Sequence, residues 1–361
     1  MEPAALGWSA ALGDYPWLAR LQLSGWSEGT SVIVKTQRPA DHWRGSDTTI
    51  RERAALRLLE RVGLRSAPRL VAADEELGFV VLEDLGAGPA LEDVLLGADR
   101  EAAVQAFLAH AAALAEMQAA TMGCSDLFYA QLDGTEVDAN LDRVCVQVMP
   151  FRQRWARLRS LTDARPELPN ADKAEPDIGR MLSWLDGAGP LLALSNGDFM
   201  PQNSRLGALG VRLLDFEGAA FQHALLDATH LRIPYAAAPA WGRLPSDVVR
   251  SGEQTYRTRL AQVCPQVAAD HIYEQGMAAA TAAWAVNRLT RLARLEERDK
   301  PHPLGFSKRG QMLDLLQTAI DSCTGARTLP GLRGWFEGVA LKLRRRWPEV
   351  PEQQDYYPAF R

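Results

Sequence analysis

Lysine and asparagine are scarce in this chain. Its 361 residues include five lysines and five asparagines, against 35 arginines. Because the chain uses arginine wherever a positive charge alone is wanted, a lysine or an asparagine at a special position carries more information than usual. Cysteine is also rare, with four residues that lack a Cys-x-x-Cys or Cys/His ligand spacing. This argues against a structural zinc site and predicts a reduced, cytoplasmic protein.

Three further absences limit the partners of the chain. The net charge is −5 and no basic face is visible, which argues against a nucleic-acid partner. The alanine-rich stretches at 102–120 and 277–286 are interrupted by polar residues or too short to span a bilayer, so we expect no membrane association. The N-terminal region lacks a basic segment, and Asp14 and Pro16 interrupt its apolar residues, so we expect no signal peptide.

The first 85 residues have a mixed α/β pattern. Short β-branched or apolar runs indicate strands, whereas a polar cap, an apolar periodicity and a stopping glycine indicate a helix. The predicted elements are a strand over 30–36, a helix from Asp47 or Thr48 to Val62, and strands over 69–73 and 78–83. The glycine-rich segment 85–89 then predicts a hinge.

From about residue 90 the pattern becomes helical. The predicted elements are helices over 99–121 and 177–187, a loop over 163–176, a hairpin with strands over 204–206 and 211–214, and helices alone after Asp227. The sequence therefore predicts an α+β fold with two lobes. A small β-rich lobe spans residues 1–85, and a large, mainly helical lobe spans residues 86–361.

The segment from Ser195 to Glu217 contains the strongest candidate for a functional site. A chain that enters the predicted hairpin near Asn203 and leaves it near Asp215 returns to the same end, which gathers Asp198, Asn203 and Asp215 at one edge. Two carboxylates and an amide oxygen are hard donors that suit Mg²⁺. The same set matches the kinase order of Asp, four residues, Asn and a second Asp after a hairpin. A polar surface loop with Asx-turns is the structural alternative.

The motifs in this segment resemble those of a known enzyme family. Asn196-Gly197-Asp198 with Asn203 resembles the His-Gly-Asp-x-x-x-x-Asn motif of aminoglycoside phosphotransferases and choline kinases, and Asp215-Phe216-Glu217 resembles their Asp-Phe/Trp-Glu segment. The resemblance implies a two-lobed, protein-kinase-like fold and transfer of phosphate from ATP to a hydroxyl of a small molecule. It further implies that Asp198 is the catalytic base, that Asn203 and Asp215 bind Mg²⁺, and that Asp227 has a structural, hydrogen-bonding role.

Asn196 departs from the family pattern. The family usually has a histidine at this position, where it supports the loop and is not the base. Asparagine can also donate and accept hydrogen bonds, so activity is compatible with the change. The substitution nevertheless leaves open a second interpretation, an inactive nucleotide-binding pseudokinase of the same fold.

Lys35 and Glu52 are the candidates for the phosphate side of the nucleotide site. Lys35 follows three apolar residues on a predicted strand, and a lysine there that reaches the phosphates is the family's expectation. Glu52 lies toward the apolar side of the predicted helix, where a carboxylate needs a partner. Lys35 would satisfy it. A local ion pair with Arg51 or Arg53 is the alternative.

The remaining nucleotide contacts have weaker sequence signals. The segment Ser24–Thr30 contains two glycines and precedes the lysine strand, as a phosphate-covering loop would, although a plain turn fits equally well. No Walker motif is present. In the family, the backbone of the hinge holds adenine, which indicates Glu83 and Leu85.

The acceptor cannot be named from the sequence. We expect its site among the helices after Asp227, with a second candidate region around 120–165. The candidate residues are Tyr235, Trp241, Trp284, Glu296, Glu297 and Asp299. A protein kinase is disfavoured because the His-Arg-Asp and Ala-Pro-Glu motifs are absent. A serine hydrolase is disfavoured because the Gly-x-Ser-x-Gly string at 25–29 precedes a strand, where a nucleophile elbow needs a helix.

Overall fold

The N-terminal part is a twisted antiparallel sheet that carries one long helix. The computed structural model describes residues 6–11, 16–23, 31–38, 48–132, 151–208, 210–233, 235, 241–299 and 304–361. The strands of the sheet are β1 (Leu6–Ala11), β2 (Leu18–Leu23), β3 (Ser31–Thr36), β4 (Leu70–Asp74) and β5 (Phe79–Glu83), and the helix between β3 and β4 is α1 (Thr48–Arg61). The strand order in the sheet is β1-β2-β3-β5-β4.

The helix α1 ends where the sequence predicts it. Gly63 adopts a left-handed φ of 75°, which only glycine accepts without strain. Its amide donates to the carbonyl of Glu60, and the amide of Leu64 donates to the carbonyl of Leu59. The helix buries Ala55, Leu58 and Leu59 in the core. This burial fixes which residues of α1 face the interior.

The rest of the chain is mainly helical. The helices are α2 (Leu91–Leu95), α3 (Arg100–Thr121), α4 (Ser125–Tyr129), α5 (Phe151–Asp163), α6 (Glu175–Asp186), α7 (Leu225–Ala228), α8 (Ser246–Leu260), α9 (Asp270–Leu289), α10 (Leu292–Glu297), α11 (Lys308–Gly325) and α12 (Pro330–Arg346). The long helix α3 packs against α8, and α11 packs against both α9 and α12. Within the described ranges, no helix is both long and apolar enough to cross a membrane. A small antiparallel sheet followed by a large helical part confirms the predicted α+β, two-part fold.

Two small antiparallel sheets interrupt the helical part. One is the predicted hairpin, β7 (Ser204–Gly207) with β8 (Gly210–Leu213). The other pairs β6 (Leu192–Ser195) with β9 (Ala220–His223). The predicted hairpin is therefore present, whereas the second small sheet was not predicted. The strand β9 is only four residues long and follows a motif loop, so it leaves almost no periodic signal.

The predicted loop at 163–176 is shorter than expected. The helix α5 ends at Asp163, a 3₁₀ turn spans Asp172–Ala174, and α6 already begins at Glu175. Pro176 lies in the first turn of α6, where a missing amide costs nothing. The prolines and acidic residues that indicated a loop therefore also serve to start a helix. The lobe boundary at 85/86 remains a prediction, with β5 ending at Glu83 and α2 beginning at Leu91.

Candidate active site

Lys35 lies at the centre of a buried ion cluster that joins three parts of the chain. Its Nζ atom is 2.7 Å from Glu52 Oε2 on α1, 3.0 Å from Asp215 Oδ1 and 2.9 Å from Glu217 Oε1, both after β8. Glu217 also forms an ion pair with Arg38, just beyond β3. The predicted Lys35–Glu52 pair is therefore present. Its β-strand lysine and helix glutamate have the arrangement of the lysine–glutamate pair of kinases.

The rival local pairing of Glu52 is not formed. Arg53 pairs with Glu75 beyond β4. Arg51 donates to the carbonyl oxygen of Ala219 at 3.2 Å, so it ties α1 to the segment after Asp215. Both arginines are buried, with 5% and 4% of their surface exposed. Each therefore helps to hold α1 in position beside the cluster.

Burial governs the electrostatics of the cluster. Lys35, Glu52 and Glu217 are all less than 9% exposed. Burial alone would lower the pKa of Lys35, but the neighbouring charges of Glu52, Asp215 and Glu217 raise it above its ordinary value, so the ammonium stays charged. Burial raises the pKa of Glu52 to about 7, against the opposing effect of Lys35. The cluster thus holds more carboxylates than one ammonium can offset.

Asp198 and Asn203 are brought together in the loop after β6. The side-chain nitrogen of Asn203 donates to the backbone carbonyl of Asp198 at 2.9 Å and to Asp198 Oδ2 at 3.2 Å. The carbonyl oxygen of Asn203 accepts from the amide of Leu214, at the end of the hairpin. The hairpin therefore returns the chain to the loop, as predicted, and Asp215 follows directly. Asp215 has a left-handed φ of 61°, an uncommon conformation for a residue with a Cβ atom.

Asn196 links these two loops. Its side-chain nitrogen donates to the carbonyl oxygen of Leu214 at 2.9 Å, and its side-chain oxygen accepts from the amide of Asp198 at 3.2 Å. It is completely buried. Asparagine supplies one donor and one acceptor here, which is the loop-supporting work expected of the histidine that it replaces.

Gly197 allows the two loops to touch. It has a left-handed φ of 77°, and a Cβ atom at this position would clash with the backbone of Gly218. Asp227, on α7, supports the same region from the core. It is buried and accepts a hydrogen bond from Gln222 Nε2 at 3.0 Å, while burial raises its pKa to about 7. This is the structural role predicted for Asp227.

Two residues of the cluster were missed by sequence reasoning. Glu217 was noted within its motif but given no role, and Arg38 was not singled out. Glu217 lies two positions after Asp215, as the motif shows, so a role could have been assigned to it. Arg38 carries no signal because arginine is abundant throughout the chain.

The predicted hinge contacts differ from each other. The carboxylate of Glu83 accepts from Arg212 on β8 at 2.8 Å and from the backbone amide of Arg69 at 3.0 Å. Its side chain thus connects the N-terminal sheet to the hairpin. The backbone amide and carbonyl of Leu85 make no hydrogen bond within the described residues. The glycine segment Ser24–Thr30 lies outside the described residues, as does the Gly-x-Ser-x-Gly string.

The donor set of Asn203 and Asp215 fits a magnesium ion bound together with phosphates. The side-chain nitrogen of Asn203 is occupied by Asp198, which leaves its amide oxygen to face a cation. In the part of the chain that the structure describes, no three His, Cys, Asp or Glu side chains are grouped to hold a metal. Mg²⁺ commonly takes only one or two protein oxygens and completes its shell with phosphate and water.

The candidate acceptor residues have structural partners. Tyr235, Trp241 and Trp284 are at most 5% exposed and belong to the core. Glu296 accepts two hydrogen bonds from Arg165, at 3.0 and 2.9 Å. Asp299 accepts from Ser307 Oγ at 2.6 Å and from the amide of Lys308, at the start of α11. Glu297 is exposed. These acidic residues therefore do not converge on a pocket.

A comparison with solved structures finds small-molecule kinases that are similar over most of this chain. The fold resembles that of choline kinases and antibiotic phosphotransferases. One similar structure is the choline kinase LicA from Streptococcus pneumoniae, with 13% identity over 89% of this chain and 93% of that chain and a TM-score of 0.44. Another is the choline kinase from Cryptosporidium parvum Iowa II, with 10% identity over 92% of this chain and 93% of that chain and a TM-score of 0.48. A third is the macrolide 2'-phosphotransferase MphH from Brachybacterium faecium, with 17% identity over 77% of this chain and 83% of that chain and a TM-score of 0.44.

The names of these structures belong to the group of enzymes that the sequence motifs resemble. No protein-family model matches the sequence, and no curated protein matches it. Because all three TM-scores are below 0.5 and the identities are 17% or less, the likenesses carry no argument about substrate or activity.

Proposed function

We propose that this protein is an ATP-dependent kinase that phosphorylates a hydroxyl group of a small molecule. The observation that carries the proposal is the position of Lys35 Nζ, within 3.0 Å of both Glu52 and Asp215. This contact joins a strand lysine, a helix glutamate and the aspartate after the hairpin. Phosphoryl-transfer enzymes of the kinase type need these three groups together, to hold the phosphates and their metal ion.

The residues divide the chemistry among them. Asp198 accepts the proton of the acceptor hydroxyl while the hydroxyl oxygen forms a bond to the γ-phosphorus of ATP. The bond from that phosphorus to the bridging oxygen breaks, and ADP leaves. Asn203 holds Asp198 through its side-chain nitrogen, which orients the base. Lys35 provides a fixed positive charge for the phosphates, since its pKa stays above its ordinary value.

Magnesium is the implied metal. Asn203 through its amide oxygen and Asp215 through its carboxylate would hold the ion, which when bound offsets the negative charge of the phosphates. Glu83 and Leu85 are proposed to contact adenine through backbone groups. For Glu83 only the carbonyl serves, because its amide donates to the carbonyl of Arg69 and its carboxylate is bound to Arg212.

An inactive nucleotide-binding protein of the same fold is the second candidate, favoured by Asn196 in place of histidine. The two hydrogen bonds of Asn196 argue against it, because they keep the Asp198 loop and the Asp215 loop in register. A pseudokinase would not need Asp198, Asn203 and Asp215 to remain assembled.

The proposal is tested by measuring ATP consumption against a panel of antibiotics, amino-alcohols, sugars and hydroxy acids, with Mg²⁺ and with EDTA. We expect Mg²⁺-dependent turnover that at least one hydroxyl acceptor raises above the rate with water. Binding of an ATP analogue without turnover would favour the pseudokinase. Failure to bind the nucleotide with Mg²⁺ would contradict both candidates.

A further inference from the structure

Arg288, in the last turn of α9, is a buried cation without a hydrogen-bond partner. The residue is 3% exposed, and all three of its guanidinium nitrogens are buried. None of them hydrogen-bonds to any group in the ranges that the structure describes. Its guanidinium carbon lies 5.7 Å from the ring centroid of Trp284. Because a buried guanidinium offers five N–H donors, leaving them all without acceptors is costly.

A series of packed rings connects Arg288 to Phe199, the residue after Asp198. The Trp284 ring centroid lies 4.5 Å from that of His230, which lies 6.5 Å from that of Phe199. Phe199 directly follows Asp198 in the chain. These rings are buried, and the charge of Asp198 raises the pKa of Arg288 against the effect of burial. The guanidinium therefore lies within electrostatic reach of the proposed base.

Positive groups outweigh negative ones around Arg288. Burial lowers the pKa of Arg288, the neighbouring charge of Arg291 lowers it further, and Arg154 adds to this effect. Asp198 acts in the opposite direction but leaves the pKa well below its ordinary value. The site therefore favours a further negative charge beside Arg288.

Lys308, at the start of α11, extends this positive region toward the surface. It is half-buried, and its pKa is lowered to about 8 by burial and then by Arg288 and Arg291. Glu92 and Asp299 act against that shift without overcoming it. Arg291 is exposed. Arg291 and Lys308 thus lie within electrostatic reach of Arg288, and both are more exposed than it is.

We propose that the phosphoryl acceptor carries a carboxylate or phosphate group, which Arg288 binds while Asp198 holds the reacting hydroxyl. This inference rests on the proposed kinase function and narrows its substrate class. The planar guanidinium matches two oxygens of an oxyanion at once, which a lysine cannot do. An oxyanion there would supply the acceptors that the buried nitrogens lack. Lys308 and Arg291 would attract the same group on its way in.

Two acidic residues of this region, Glu296 and Asp299, are engaged by other groups among the residues that the structure describes, and so do not favour a cationic acceptor. Glu296 is bound to Arg165, and Asp299 caps α11. A polycationic antibiotic or a quaternary amine would need carboxylates or open aromatic faces directed at it. Trp284 has its face occupied by Arg288 and its ring nitrogen bonded to the carbonyl of Leu226 at 2.9 Å.

The test is isothermal titration calorimetry of the full-length protein, saturated with Mg²⁺ and a non-hydrolysable ATP analogue so that the nucleotide phosphate positions are filled. The probes are glycerate, glycerol 3-phosphate, glycerol and choline. We expect one or both anions to bind at least ten-fold more tightly than glycerol and choline. The two anions distinguish a carboxylate site from a phosphate site. Arg288→Gln should weaken anion binding at least ten-fold, whereas Arg345→Gln, which removes an exposed arginine of α12, should not.

Three results would overturn the inference: choline or glycerol binding as tightly as the anions, none of the probes binding, or Arg288→Gln binding the anions as the wild type does. If Arg288→Gln does not fold, Arg288→Lys is tested in its place, because it keeps the charge but loses the planar fork. It should weaken anion binding several-fold, and an unchanged affinity for the anions would also overturn the inference. Failure of the kinase proposal is separate: it would appear as no binding of the ATP analogue, while anion binding and its dependence on Arg288 are still measured without nucleotide.

Discussion

At the scale of single residues, the candidate active site depends on a few side chains that hold two loops together. Asn196 spans them with two hydrogen bonds, and Gly197 lets them approach. Asp198 was recognisable from the sequence because it lies in a motif with Asn203 at a fixed spacing. The partners of Asn196 were not, since a hydrogen bond to the carbonyl of Leu214 depends on the path of the hairpin between them.

Gly197 and Gly63 form a matched pair for testing this contact. Both have a left-handed φ, 77° and 75°, but a Cβ atom at Gly63 meets nothing within 4 Å, whereas at Gly197 it clashes with Gly218. We expect Gly63→Ala to lower the free energy of unfolding by about 1 kcal/mol. Gly197→Ala adds the clash and should cost about 3 kcal/mol or more.

Urea unfolding of the two alanine variants measures the difference. Equal losses of stability in both would show that the two loops do not need their close contact. Gly197→Ala should also lose phosphoryl transfer, while Gly63→Ala should keep it.

At the scale of elements, the site depends on which strands and helices meet. The boundaries of β3 and α1 were predictable, because a β-branched run and a glycine stop are local signals. The Lys35–Glu52 pair was predictable from the burial expected of Glu52. The pairing of β6 with β9 was not, because two four-residue strands distant in sequence are selected by tertiary packing.

The ion cluster around Lys35 joins three of these elements, so removing the ammonium should affect stability as well as activity. Lys35→Met leaves the buried Glu52 and Glu217 without their shared cation. Breaking a buried ion pair from one side costs about 3–5 kcal/mol. We expect a loss of this order, and partial recovery in Lys35→Met/Glu52→Gln, because the double variant has one unpaired carboxylate fewer.

A double-mutant cycle by chemical denaturation measures this coupling, with the exposed Lys173→Met as the control. Additive losses in the single and double variants would mean that Lys35 and Glu52 do not interact energetically.

At the scale of the whole molecule, two sets of buried ionisable groups change the free energy of unfolding in opposite directions as the pH falls. Burial lowers the pKa values of His110, His223 and His230 to about 3. These histidines stay neutral in the folded protein but take up protons in the unfolded chain below pH 6.5. The free energy of unfolding therefore falls as the pH falls below this value. The raised pKa values of Glu52 and Asp227 act in the other direction, because their folded forms take up protons first as the pH falls through 7.

Replacing one histidine should therefore make the variant relatively more stable in acid. Between pH 7 and pH 5, each buried histidine lowers the free energy of unfolding by about 2 kcal/mol. We expect the stability of His110→Gln relative to wild type to rise by about this amount over that range, and that of the exposed His271→Gln to stay constant. Unfolding titrations at both pH values measure it. A constant difference for His110→Gln would mean that its imidazole is accessible to protons in the folded state.

The central claim, that the protein transfers phosphate to a hydroxyl through Asp198, is tested most directly by kinetics of Asp198→Asn. The variant keeps the size of the side chain and an oxygen near Asn203 but cannot accept the proton. With the acceptor that supports turnover, or with water, we predict that kcat falls by about 10²- to 10⁴-fold while the affinity for an ATP analogue with Mg²⁺ changes by only a few-fold. An Asp198→Asn protein that turns over at the wild-type rate would contradict the account.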